Sequence, residues 1–168
     1  MDKITKNSVA LAGEFAVLSQ LALRGYDANM TLGHTKSVDI LISDPNKGKM
    51  YKLEVKTSFG SKPSRSKLFG YTLNWMMGEK HETISDPSLY YCFVNIERET
   101  NVFRFFIVPS QIVADYVRIQ HKIWLERNPD LSKAEKDIPM RQFRVGVEDD
   151  YNIPTPLAKD YENKWGFD

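Results

Sequence analysis

The hexapeptide LEVKTS, residues 53–58, has the alternation of a β-strand and contains the charged pair from which the fold is predicted. Side chains alternate along a strand, so Glu54 and Lys56 lie on one side and Leu53 and Val55 on the other. One side of a strand usually faces a core, where charge is costly. Two explanations stay open: an ordinary solvent-exposed face, or the floor of a catalytic cleft.

A second strand-like segment, SVDILIS at 37–43, precedes the hexapeptide and again has an acid, Asp39, within an apolar run. The residues that follow it, DPNKGK at 44–49, are strong turn formers. The sequence therefore predicts a β-hairpin of residues 37–43 and 50–58. If the polar sides of the two strands coincide, Asp39 joins the charged side chains of the hexapeptide on a common face.

An amphipathic helix is predicted ahead of this hairpin, with Asn7 or Ser8 as its N-cap and with Arg24 as its last residue before Gly25. Glu14 falls within or at the edge of the apolar side of this helix. A carboxylate there needs a cation, a hydrogen-bond donor or access to solvent. The apolar stripe consists of four residues at helical spacing: Leu11, Phe15, Leu18 and Ala22.

The second half of the chain predicts further strands and helices from the same kinds of pattern. Trp75 has two interpretations, packing in the core or stacking on a base, and the first is favoured. His34, His81 and His121 are not at the spacing of zinc ligands. The predicted elements are a short helix within 71–83, strands at 89–96 and 102–108, a helix from 110 to about 127, a capping box at 132–135, an edge strand at 142–147 and a last helix after 156.

Composition favours one compact domain over residues 1–168, with a C-terminal extension from about residue 129. The chain has 42% apolar and 12% aromatic residues, enough for a substantial core. No apolar run approaches the length of a membrane span, and residues 1–14 lack the hydrophobic stretch of a signal peptide. We expect a cytoplasmic protein without membrane contact. The single cysteine, Cys92, lies in an apolar run, which favours a buried thiol.

Charge is concentrated between residues 47 and 67, although the whole chain has a formal charge of only +1. The window could be a solvated loop, or a surface that receives a polyanion such as nucleic acid. Three of its cations, Lys62, Arg65 and Lys67, lie in a stretch rich in Gly, Ser and Pro that predicts a flexible loop over 58–70. The window has one acid, Glu54, and seven basic residues: Lys47, Lys49, Lys52, Lys56, Lys62, Arg65 and Lys67.

Two acids side by side on adjacent strands repel each other unless a cation lies between them. Asp39 and Glu54 supply hard oxygen donors, which suit Mg²⁺ or Mn²⁺, and the main-chain carbonyl of Val55 is a further candidate ligand. Lys56 beside such an ion could orient a water molecule and balance the charge that develops on a reacting phosphate. The pattern therefore favours metal-dependent phosphodiester chemistry.

Three segments in this order, GEFAVLSQLALRGY at 13–26, VDILI at 38–42 and KLEVKTS at 52–58, resemble the core of the PD-(D/E)xK nuclease superfamily, which has a restriction-endonuclease-like fold. The resemblance covers about a third of the chain. It implies an α/β fold with an αβββαβ core, in which a mixed central sheet is flanked by helices. It also implies metal-dependent hydrolysis of phosphodiester bonds in DNA.

The same resemblance implies a role for each matching residue. Asp39 matches the first acid of the motif, Glu54 and Lys56 match its second half, and Glu14 matches a first-helix acid that some members have. Val38 stands in place of the proline of the motif. Thr57, Ser58 and Ser37 are weaker candidates for lining the cleft.

Other functions stay open beside DNA cleavage. The chain could keep the nuclease fold as a non-catalytic nucleic-acid-binding or interaction protein, or it could cleave RNA with the same site. Many nucleases of this fold pair to cut both strands, so a homodimer is also open. The DNA sequence or structure that would be preferred is not predicted.

Overall fold

The predicted hairpin forms the middle of the structure. The computed structural model describes residues 4–31 and 38–168. Its elements in chain order are α1 Lys6–Ala22, β1 Asp27–Met30, β2 Ile40–Asp44, β3 Lys49–Phe59, β4 Ser64–Ser66, β5 Gly70–Gly78, a 3₁₀ turn Glu79–Glu82, β6 Leu89–Ile96, β7 Phe103–Pro109, α2 Ser110–Arg127, α3 Lys133–Lys136, β8 Met140–Gly146 and α4 Ala158–Tyr161.

Five strands form a mixed sheet in the order β1-β2-β3-β6-β7. Strand β3, which contains the opening hexapeptide, pairs antiparallel with β2 and parallel with β6. Helices flank this sheet, which confirms the predicted fold class. Leu53 lies opposite Ile40 of β2, and Glu54 lies opposite Tyr91 of β6. Strand β2 covers one edge of β3 from Lys49 to Leu53, and β6 covers the other edge from Lys52 to Phe59.

Each face of the sheet carries its own apolar cluster. On one face, Val17 and Leu21 of α1 pack against the side of β3 that carries Leu53 and Val55. On the other face, Tyr91 and its neighbours in β6 pack against α2, β5 and β8. A strand buried on both faces reads as a continuous apolar run, which is what the sequence of β6 shows. Cys92 in that run is fully buried, as predicted.

A second, three-stranded sheet in the order β4-β5-β8 covers part of the second face. The helix predicted within 71–83 is wrong, because β5 occupies most of that stretch. Leu73, Trp75 and Met77 alternate with polar or exposed residues and are buried, which is the period of a strand. Trp75 packs in the core as favoured, and its Nε1 donates a hydrogen bond to the Val94 carbonyl (2.9 Å).

Other predictions for the second half are confirmed. Helix α2 spans the predicted residues, and Ser132 and Glu135 form the predicted capping box. Strand β8 lies at an edge of the second sheet. Beyond residue 129 the chain also adds Trp165 and Phe167 to the cluster under α1. No helix in the described ranges is both long and apolar enough to cross a bilayer.

Helix α1 differs from its prediction at its start and in its buried face. Thr5, which precedes both predicted N-caps, accepts a hydrogen bond from the Ser8 N–H (3.1 Å) and caps the helix. Phe15 of the predicted apolar stripe is 59% exposed. The contact with the sheet is made instead around Gly13, because the missing side chain lets the helix approach β3 closely at Thr57. The buried residues of α1 are Gly13, Val17 and Leu21.

We expect Gly13→Ala to destabilise the fold. A methyl group at this position would overlap Oγ1 of Thr57 and would also press on its Cβ, 3.0 Å away. Overpacking of this kind costs about 1–3 kcal/mol, which exceeds the helix-propensity gain of about 1 kcal/mol for replacing Gly by Ala. Urea unfolding of the single variants and of the pair with Thr57→Ala checks this. Strict additivity in that double-mutant cycle would contradict the proposed contact.

Candidate active site

Asp39 is fixed at the point where β2 stops covering the edge of β3. Its N–H donates to the Leu53 carbonyl (2.9 Å), which continues the ladder by one residue. Its carboxylate Oδ2 accepts a hydrogen bond from the Val55 N–H (2.6 Å). The carboxylate of Asp39 thus accepts the hydrogen bond from Val55 that a main-chain carbonyl of a paired strand would accept. This contact ties the carboxylate of Asp39 to the backbone beside Glu54.

Glu54 is almost completely buried, with 2% of its surface exposed. Its Oε1 is 2.5 Å from Nζ of Lys56, so the two charges of the opening hexapeptide form an ion pair. Its Oε2 is also buried and has no hydrogen-bond partner in the part of the chain that the structure describes. An unsatisfied buried carboxylate oxygen is costly. This oxygen could therefore bind a cation.

Two residues that the sequence did not single out as part of the site complete the surroundings of Glu54. Nε2 of His81, in the 3₁₀ turn, lies 3.8 Å from Glu54 Oε1, and Nδ1 of His81 lies 2.8 Å from the Tyr91 hydroxyl. Burial lowers the pKa of His81 to about 4, although the Glu54 carboxylate acts in the opposite direction. Burial raises the pKa of Tyr91. Both side chains are therefore neutral near pH 7.

Glu14 reaches the same region from α1, where it is half-buried. Burial raises the pKa of Glu14 above its ordinary value, and the carboxylate of Asp39 raises it further, whereas Lys56 lowers it. Burial also raises the pKa of Asp39, against the Val55 hydrogen bond and the charge of Lys56. Asp39 and Lys56 thus lie close enough to act on the charge of Glu14, and Lys56 and Glu54 lie close enough to act on that of Asp39.

The basic window of residues 47–67 is largely neutralised by acids from elsewhere in the chain. Lys62 pairs with Glu99 (3.2 Å) and Arg65 with Glu148. The stretch predicted as a flexible loop also contains β4, so Arg65 lies in a short strand, whereas Lys67 is exposed in the turn that follows. Further pairs join Lys47 to Asp168 and Lys52 to Asp86.

A cleft of about 260 Å³ opens beside Lys56, between the end of β3 and the outer face of β5. Thr57 and Ser58 line it, as proposed from the sequence. The third candidate for the lining, Ser37, lies outside the described residues, as does His34. The lining residues of this cleft are Lys56, Thr57, Ser58, Ser61, Asn74, Trp75 and Met76.

The atoms at this site that could bind a metal ion are few, and all of them are oxygens. Among residues 4–31 and 38–168, no group of three or more His, Cys, Asp and Glu side chains is arranged to hold a metal ion. Two carboxylates and one main-chain carbonyl are within the range of protein ligands that Mg²⁺ uses, because water and phosphate oxygens fill its other positions. The unused Oε2 of Glu54 is the observation that fits such an ion.

No family model matches the sequence, and a search of curated proteins gave no match. Among solved structures, the chain is similar to a bacterial homing endonuclease, I-Ssp6803I. The TM-score is 0.52 at 15% sequence identity, over 97% of this chain and 90% of that one. The chain therefore shares the fold of a nuclease, at a sequence distance where only the fold is comparable.

We expect Glu14→Gln to stabilise the protein at neutral pH. The folded state holds the Glu14 proton more tightly than the unfolded chain does, so stability falls as pH rises from 4.5 through the raised pKa. The amide avoids that loss. Thermal unfolding should give a higher Tm for the variant at about pH 7, and the difference should close below about pH 4.

Glu126→Gln on the exposed side of α2 provides a matched control for this experiment. Its carboxylate lies 3.9 Å from Lys122 in a solvated pair, so its replacement should change Tm little at either pH. A lower Tm for Glu14→Gln at neutral pH would show that the attraction of Lys56 outweighs the burial of Glu14.

Proposed function

We propose that this chain is a metal-dependent DNA endonuclease of the PD-(D/E)xK type, which hydrolyses phosphodiester bonds. The observation that carries the proposal is the convergence of Asp39, Glu54 and Lys56 where β2 leaves the edge of β3. These are the residues that the sequence motif names. The fold shared with a homing endonuclease supports the general part of this proposal, a DNA endonuclease.

Asp39, Glu54 and the carbonyl of Val55 would hold the metal. The N–H and C=O of one residue in a strand point to the same edge, and the Val55 N–H already points to Asp39. The Val55 carbonyl therefore faces the edge on which Asp39 lies. A bound Mg²⁺ or Mn²⁺ would polarise a phosphate oxygen and make a bound water more acidic.

Lys56 would act on the attacking water and on the phosphate. Its ammonium group forms an ion pair with Glu54 Oε1, and its side chain lines the cleft. The remaining donors can orient a water and offset negative charge as the bond to phosphorus forms. The electrostatic coupling between Glu14 and Lys56 supports a positioning role for Glu14, beside the other role suggested for it, which is to ligate a second ion.

Lys62, Arg65 and Lys67 would follow the phosphate backbone next to this cleft. Because Glu99 and Glu148 already pair with Lys62 and Arg65, these cations would exchange an internal carboxylate for a phosphate when DNA binds. In the free protein, these ion pairs keep the basic segment from carrying a strong local charge. Two copies of the chain, as a homodimer, would cut both strands of a duplex.

We expect Lys56→Ala and Glu54→Gln to lose nicking activity by a factor on the order of 10² or more, because the first removes a positive charge near the reacting phosphate and the second removes a carboxylate that would hold the metal. Plasmid, single-stranded DNA, branched DNA and RNA are incubated with each protein in Mg²⁺ or Mn²⁺ and separated on gels. Lys52→Ala is the matched control. It lies on the same side of β3, but its ammonium bonds Asp86 (2.9 Å), so nicking should persist.

Each outcome of that assay decides between the functions that the sequence left open. DNA nicking that Lys56→Ala and Glu54→Gln abolish supports the nuclease. Metal-independent binding of DNA with no cleavage by the wild-type protein supports the non-catalytic binding protein instead. Cleavage confined to RNA replaces the substrate but keeps the site.

The salt dependence of DNA binding tests the basic residues. Replacing Lys62, Arg65 and Lys67 by Ala should lower the slope of log affinity against log salt by about 0.9 for each phosphate that the protein no longer neutralises. Glu148→Gln, which frees Arg65, should strengthen binding at low salt. Fluorescence anisotropy with a catalytically inactive variant measures both. An unchanged slope in the triple variant would place the DNA path elsewhere on the protein.

A further inference from the structure

A second pocket, of about 250 Å³, is lined by residues of β5, β8 and the C-terminal half of α2. Its walls are aromatic and aliphatic. The rings of His121 and Trp124 lie nearly parallel, with 5.8 Å between their centroids, and Phe69 also lines the pocket. The volume is slightly below the roughly 300 Å³ at which sites for drug-sized ligands begin, which suits one planar ring system.

The polar groups of this pocket are cationic or neutral. Arg144 lies over the ring of Phe69, 3.9 Å from its centroid, and donates a hydrogen bond to Gln142. Gln120 is 7% exposed and lines the pocket, yet its Oε1 has no hydrogen-bond partner in the described ranges. The lining residues that the structure describes include no acid. The pocket therefore combines stacking surfaces, positive charge and an unsatisfied amide.

The pocket is adjacent to the candidate active site. Met76 lines both the pocket and the cleft beside Lys56. Asn74 of the cleft lies directly opposite Arg144 of the pocket in the pairing of β5 with β8. A nucleotide whose phosphate lies in the cleft would thus have its own base, or a neighbouring base, within reach of the pocket.

We infer that this pocket receives a single unpaired nucleobase of the DNA substrate. A base offers a flat face to Trp124, and the edge of a base carries N–H donors of the kind that Gln120 Oε1 lacks. An apolar side chain from another protein would leave that buried amide oxygen without a partner, which is costly. The inference rests on the proposed function and makes it more specific: the preferred DNA has a base outside its stack, as at a bulge, junction or frayed end.

Two duplexes of the same sequence test this, one fully paired and one with an extra, unpaired 2-aminopurine. Binding is followed by anisotropy in the Lys56→Ala background, so that neither DNA is cut. We expect the bulged duplex to bind at least about tenfold more tightly, with quenched 2-aminopurine fluorescence, because base stacking on an aromatic ring contributes this much. Trp124→Ala and Gln120→Leu should each remove the preference without weakening binding of the paired duplex.

Lys122→Ala, which is exposed on the same helix and is not among the lining residues, should keep the preference. Equal affinity for the two duplexes, with normal binding of the paired one, overturns this inference and leaves the proposed function intact. Failure to bind either duplex overturns both. A change in sedimentation of Trp124→Ala without a change in base preference identifies the pocket as an interface between copies and also overturns the inference.

Discussion

The buried carboxylate of Glu54 is the constraint on which the rest of the structure depends. A charge in the middle of a sheet is tolerated only if the neighbouring elements compensate for it. Lys56 does so from the same strand, and the 3₁₀ turn places His81 on its other side. The register of β3 with β6 adds Tyr91. Lys56 and His81 both lie near Oε1, whereas Oε2 has no hydrogen-bond partner among the described residues.

The opposite face of the same strand is equally constrained, for a different reason. Gly13 lets α1 lie against β3 at Thr57, and the next residue along the helix is Glu14. Close packing on the apolar face therefore decides where an acidic side chain is delivered to the polar region. A helix held further from the sheet would carry Glu14 away from Asp39 and Lys56. Packing and chemistry are coupled here through two consecutive residues.

Sequence patterns predicted the features that depend on local order and missed those that depend on distant partners. The hairpin around 44–49 and the strand that contains Glu54 follow from alternation and turn residues, and helix α2 follows from its apolar spacing. For strand β5 the local pattern predicts a helix, and the strand that pairs with it, β8, is far away in sequence. The acids that neutralise the basic window, such as Glu148, are also remote. No short motif announced His81, whose role arises from tertiary contact alone.

During synthesis of the chain, β5 is made before its partner β8. Strand β5 leaves the ribosome well ahead of residue 140, so for that interval the edge that pairs with β8 is open. The same strand carries the apolar side chains of Leu73, Trp75 and Met77, which are buried in the folded protein. Unpaired edges of this kind recruit other chains and cause aggregation. Nascent chains that end before β8 are therefore the ones that most need a chaperone to prevent aggregation.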